Sequence, residues 1–94
     1  MWPYKTEKAF LARLPHDGDL LPAIKKAFQQ REIRMGVFTA IGAVKRATIA
    51  VYDQQNRSYK ELLVDEPAEI LSCIGNVSEI EGDISVHAHI TLGL

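Results

Sequence analysis

The sequence predicts an α+β fold: one small domain in which a single main helix packs on a largely antiparallel sheet. Three observations carry this. Apolar residues recur at helical spacing just after residue 20, and most of the chain beyond alternates apolar with polar at period two. The breaks between the alternating segments are a few polar or glycine-containing residues, too short for the crossovers that parallel strands require. With 94 residues and 10.5 kDa there is room for one core, so residues 1–94 form a single domain.

Taken in order, Tyr4 to Leu14 alternates loosely, with Phe10, Ala12 and Leu14 on one side, and reads as a strand. Pro15-His16-Asp17-Gly18 breaks it. Asp19 is placed to cap a helix, its carboxylate accepting from free amides of the first turn. Leu21, Ile24, Ala27 and Phe28 share one helical face, with Lys25, Lys26, Gln29 and Gln30 pointing away. Pro22 falls in the first turn, where its missing N–H costs little, so the helix is predicted over Leu20 to Arg31.

The period then changes to two. Arg34–Ile41 reads as a strand, Gly42 as a bend, and Val44–Asp53 as a strand with Ala47, Ile49 and Val51 on one face and Thr48 and Tyr52 on the other. Asp53–Ser58 is a polar hairpin loop leading to a strand over Tyr59–Asp65, whose apolar face carries Leu62 and Val64. After Pro67 a short strand is expected over Ile70–Ile74, turned by Gly75-Asn76, and then an acidic loop over Glu79–Asp83. Asp83 to Leu92 has the cleanest pattern: Ile84, Val86, Ala88, Ile90 and Leu92 against Ser85, His87, His89 and Thr91. The sequence still reads as strand at Thr91–Leu94, so a neighbouring subunit is expected to cover this end, or the domain to be short at its C-terminus.

Composition narrows the function classes. At 47% hydrophobic and 24% charged, the chain is neither disordered, collagen-like nor a coiled coil. A net charge of −1, from 11 basic and 12 acidic residues, argues against gripping phosphates over a broad basic face. The lone Cys73 forms no internal disulfide and suits a reducing cytoplasm, so the sequons at Asn56 and Asn76 carry little weight. No apolar run approaches 18 residues and Met1–Lys8 has no signal-peptide core. A soluble cytoplasmic domain without a membrane partner is expected.

The sharpest chemical feature is His87-Ala88-His89. Residues two apart on a strand project to one side, where two imidazoles can share a divalent ion such as zinc. A tight site needs a third ligand: His16, Cys73, Glu69, Glu81, or a residue of another subunit. The alternative is that both histidines line a solvated sheet face. Glu69, Glu79, Glu81 and Asp83 could complete a metal shell or do acid–base work, or be ordinary surface charge. Cys73 sits in an apolar segment and reads as a small buried thiol with no nucleophilic role. No Ser/His/Asp order, P-loop or dinucleotide fingerprint occurs. The basic residues Lys25, Lys26, Arg31, Arg34, Lys45, Arg46, Arg57 and Lys60 are scattered. Lys45-Arg46 beside Arg34, with Tyr52 and Tyr59, is the one arrangement that could offer DNA a patch.

As a whole the chain resembles the plants-and-prokaryotes conserved (PPC) domain, a domain of unknown function whose members are also described as predicted DNA-binding proteins. The resemblance runs from Gly18 to Leu94 through Gly18-Asp19, Thr39–Val44, Ala47–Asp53, Glu69–Ser78, Glu81-Gly82 and Val86-His87-Ala88-His89-Ile90. The last two stretches, in that order and spacing, are the specific part. The resemblance implies a compact α+β fold that assembles as a homotrimer. Plant members carry AT-hook segments beside the domain. This sequence has no Arg-Gly-Arg-Pro core, so that mode of DNA binding has no support here. The family is also similar in fold to acetolactate decarboxylases, which hold zinc with three histidines, two of them in a His-x-His pair that His87 and His89 match. Family members continue into a Gly-Gly-His segment that supplies another histidine and a further strand, and this sequence ends at Leu94 before it.

The functional expectation is therefore a non-enzymatic, self-associating module, a homotrimer with a DNA-linked or regulatory role. The alternative is a divalent-metal-dependent small-molecule binder or enzyme in which His87 and His89 hold the ion and Glu69 or Glu81 serves as acid or base.

Overall fold

The structure, a computed structural model, describes residue 5 and residues 8–94. The helix forms as predicted, one residue shorter: α1 spans Leu20–Gln30 and buries Ile24 and Phe28 on its apolar face. Asp19 occupies the N-cap position, but its side chain makes no capping hydrogen bond. A capping carboxylate reaches the second or third amide of the helix, and here the third residue is Pro22, which has none. The Asp19 carbonyl still accepts from the Ala23 N–H at 3.0 Å.

Six strands follow: β1 (Gly36–Thr39), β2 (Gly42–Val44), β3 (Ala47–Asp53), β4 (Ser58–Val64), β5 (Ala68–Ile80) and β6 (Asp83–Gly93). β5 is the spine of the main sheet. β6 pairs along one edge, while β1 and β2 share the other end to end, all antiparallel. β3 and β4 form a separate two-stranded sheet. The strand expected over Val44–Asp53 is thus two pieces: β2 stays in the main sheet, and after Lys45-Arg46 the chain leaves it for the hairpin. The α+β architecture holds, and among the described residues no helix is long and apolar enough to cross a membrane.

The sequence misplaces β5 most. The expected short strand over Ile70–Ile74 is 13 residues long and runs straight through Gly75-Asn76. Gly75 is a matter of space: a Cβ there would collide with the His87 carbonyl and stand 2.5 Å from Cζ of Phe38. The true turn is Glu81-Gly82, both with positive φ (51° and 82°), as a two-residue type I′ hairpin requires. The expected acidic loop is therefore two strand ends, with Ile80 paired to Asp83. A β-bulge at Leu71 moves the buried side of β5 from Ala68 and Ile70 to Cys73 and Val77. A strict period of two is thereby lost within the strand.

The expected first strand is absent from the described residues. Lys8–Leu14 forms no regular element, and residues 4, 6 and 7 of that segment lie outside the described ones. Two of its apolar side chains, Phe10 and Leu14, serve the core all the same, while Leu11 is exposed. The Phe10 ring meets Phe28 edge-on at 5.4 Å, the Arg31 guanidinium stacks 4.3 Å from the Phe10 centroid, and Leu14 packs on the core.

That core lies between α1 and one face of the sheet. Ile24 and Phe28 meet Val77, which is 1% exposed, and Ile84, flanked by Leu20, Ile33, Phe38 and Val86. Two ion pairs pin the helix side to the β5–β6 turn. Lys25 bonds Asp83 at 3.0 Å, and Arg34 bonds Glu79 while also donating to the Gly82 carbonyl at 3.1 Å.

Candidate functional site

The second face of the main sheet carries no helix, and this open face holds the histidine pair. On β6, Ile84 turns into the core while His87 and His89 are exposed, as the alternation predicts. Their rings stand side by side, centroids 5.3 Å apart and planes at 74°. Across β5, His87 lies opposite Asn76 and His89 opposite Ile74, and one strand further these positions face Val37 and Thr39 of β1. Directly opposed residues of antiparallel strands share a face, so the imidazoles stand in a row of polar and apolar groups. Ser72 opposite Thr91 extends it. The sequence analysis does not place Asn76, Ser72 or Thr39 beside the histidines. The alternation Ser72, Ile74, Asn76, Ser78 was the available signal, hidden by the apparent turn at Gly75-Asn76.

Among the described residues none of the expected third ligands of this chain joins the pair. Cys73 lies on the helix-covered face, 2% exposed, and burial pushes its thiol up, away from the thiolate a metal takes. His16 is in the loop before α1, with Nε2 3.5 Å from the Asp17 carboxylate. Glu81 forms the exposed β5–β6 turn, and Glu69 lies near the far end of β5, opposite Gly93. Among the described residues no three His, Cys, Asp or Glu side chains gather where an ion could be held. The acidic group does not converge on the histidines. Its hydrogen bond with Arg34 holds the Glu79 carboxyl below the usual carboxylate range, and the Lys25 ammonium does the same for Asp83.

The basic patch is likewise dispersed. Arg34 is paired with Glu79 and Lys45 with Asp17, while Lys60 pairs with Asp53 at 3.2 Å in the hairpin. Asp53 also accepts from the Asn56 side chain at 2.9 Å and from the Gln55 N–H at 3.0 Å, which closes the β3–β4 loop. Lys60 first and then Asn56 hold the Asp53 carboxyl low. Tyr52 and Tyr59 are directly opposed on the hairpin, their rings edge-on at 5.2 Å and exposed.

The sequence matches the profile of the Plants and Prokaryotes Conserved (PCC) domain over residues 2–94. The chain belongs to that family. Among solved structures it is similar to a metal-containing protein from Archaeoglobus fulgidus, with 36% identity and a TM-score of 0.93, over 100% of this chain and 67% of that one. It is also similar to a plant- and prokaryote-conserved protein from Pyrococcus horikoshii, with 33% identity and a TM-score of 0.85, over 90% of this chain and 59% of that one. A "putative DNA-binding protein" from Bacteroides thetaiotaomicron is 26% identical, with a TM-score of 0.73 over 79% of this chain and 52% of that one. No curated protein matches the sequence. The PCC chain described here thus spans between about half and two thirds of the length of these relatives.

Proposed function

We propose that this PCC domain is a non-enzymatic, self-associating module that functions as a homotrimer. One observation carries the reading. The chain exposes 8177 Å², whereas a compact monomer of 10.5 kDa exposes about 5,400 Å². The radius of gyration agrees: it is 14.7 Å, against about 12 Å for a compact chain of this length. Large apolar side chains lie in the exposed surface, with Val37 83% exposed, Ile41 90% and Ile74 59%. Sedimentation equilibrium of the untagged chain tests it. A mass of three times 10.5 kDa at micromolar concentration is the expected result, and a monomer throughout overturns the reading.

A second reading is favoured by the histidines. Two imidazoles on one open face suit a divalent ion such as zinc, and the Archaeoglobus relative is described as metal-containing. His87 and His89 supply two nitrogens, which leaves further positions to water or a neighbouring subunit. A bound ion would polarise a carbonyl or activate water there. Alanine at both positions is expected to remove zinc, measured by elemental analysis, while the assembly persists. Unchanged zinc content in that variant contradicts this reading.

A DNA-linked role draws on the Bacteroides relative's description. Half of the eight basic side chains considered for a patch are already paired with carboxylates, which points to weak, salt-sensitive affinity. Unchanged duplex mobility at low salt disposes of it.

A further inference from the structure

Among the described residues no backbone hydrogen bond joins Lys8–Leu14 to α1 or to any strand, and two side-chain anchors hold it instead. The Phe10 ring meets Phe28 of α1 edge-on at 5.4 Å, and the guanidinium of Arg31, the residue that caps α1, lies 4.3 Å from its centroid. Leu14 packs against the core cluster and is half-buried. Between the anchors Leu11, Ala12 and Arg13 all face solvent, Leu11 at 98% exposed. Phe10 itself is 38% exposed, so even the main anchor is incompletely covered. Beyond Leu14 the chain is fixed again. The Gly18 N–H donates to the Pro15 carbonyl at 3.3 Å, and Asp17 pairs with Lys45 where β2 gives way to β3. A segment with side-chain anchors and no ladder hydrogen bonds belongs to the least stable part of a fold, whereas Ile24, Val77 and Ile84 are buried.

We infer that Lys8–Leu14 is a latched strap, closed by Phe10 and Leu14, that swings open about Pro15–Gly18 while the domain stays folded, and so uncovers Phe28 and Arg31. The body is built to survive the opening. Without Phe10, the Phe28 ring keeps its edge-on contact with Phe38 at 6.4 Å. It also abuts Gly36 so closely that a Cβ there would stand 2.9 Å from Cε1. The ring therefore stays seated, and Ile24 stays against Val77 and Ile84. The Lys25–Asp83 and Arg34–Glu79 pairs hold the helix margin in either state. Arg31 donates to the Ala27 carbonyl at 3.1 Å, so its half of the latch is preset on the body. The latch is weak by comparison. An aromatic edge contact and a cation–π contact are lost together when Phe10 withdraws, and no hydrogen-bond ladder opposes the withdrawal.

Trypsin reads the strap directly, because it cuts after Arg13 only when the chain on both sides of that bond leaves the surface, and the bond lies between the two anchors. The cut is followed by mass spectrometry on the intact chain. Its rate is expected to be slower than in a free peptide of residues 8–18 and nearly independent of urea below the unfolding transition, since opening exposes little surface. Phe10→Ala is expected to speed the cut about tenfold. Phe10→Tyr, which keeps the ring, and Leu11→Ala, at an exposed position, are expected to stay close to the wild-type rate. Three results each overturn the inference. A wild-type rate equal to the peptide's means that no latch exists. A urea dependence as steep as that of global unfolding means that the strap opens only with the domain. A Phe10→Ala chain cut no faster than wild type means that Phe10 does not hold it. Should circular dichroism show Phe10→Ala unfolded, the strap is part of the core and the inference falls. The urea dependence of the unsubstituted chain decides the matter without any substitution.

Discussion

The two faces of the main sheet are built from the same three strand partners of β5, yet only one is closed. On the helix side, Phe28 and Ile24 of α1 meet Val77 and Ile84, Phe10 and Phe38 pack edge-on against Phe28, and ion pairs to Glu79 and Asp83 hold the margin. On the open side, Val37, Ile74 and Ile80 stay exposed beside His87 and His89, and the hairpin stands off with both tyrosines in solvent. The difference teaches that apolar patterning alone does not say which face is a core. The helix side is a completed interior; the open side sets Val37, Ile74 and Ile80 among Thr39, Ser72, Asn76, Thr91 and the two histidines.

Substitutions should therefore separate the faces. The largest effect is expected from Phe28→Ala, which empties the centre of the aromatic cluster. Removing a buried phenylalanine costs about 3–5 kcal/mol, measured by urea denaturation. A loss below about 1 kcal/mol would mean that the helix does not close the core. Gly75→Ala comes next. The added methyl must displace the Phe38 ring or the β6 backbone at His87, a strain of about 1–3 kcal/mol, and the thermal midpoint should fall accordingly. Both changes act on the closed side.

The smallest effect concerns pH. In the folded chain Glu79 and Asp83 titrate below their ordinary range because Arg34 and Lys25 favour their charged forms. Their stabilisation is thus fully present above the unfolded carboxylate pKa and is lost as pH falls through the lowered folded values. Thermal midpoints measured from pH 7 down to pH 3 should decline modestly over that acid window. Glu79→Gln should flatten part of the decline, and a profile identical to that of the unsubstituted chain would show that the pair contributes nothing. Salt should weaken the contribution, because all four groups are at the surface.

Much of this comparison is legible in the sequence, and the gaps have physical causes. The helix is found to within a residue because Ile24 and Phe28 recur at its period, and β6 because nothing interrupts its alternation. The histidines are correctly placed together on an exposed face for the same reason. β5 is misread because the bulge at Leu71 shifts its parity and because Gly75 looks like a turn residue when it is a contact residue. The departure of the hairpin after Lys45-Arg46 leaves no trace, since alternation continues across it and pairing partners are decided by distant residues. The dispersal of the acidic group follows from pairings 45 and 58 positions apart, Arg34 with Glu79 and Lys25 with Asp83, which no local pattern encodes.

Hydrogen exchange of the β3–β4 amides, compared with those of β5 and β6 in the same sample, tests most directly whether assembly closes the open side. At micromolar concentration the hairpin's inter-strand amides should be protected to a degree comparable with β5–β6, and should lose that protection on dilution while β5–β6 keeps its own. Hairpin amides that exchange rapidly at every concentration beside a protected β5–β6 would contradict the account.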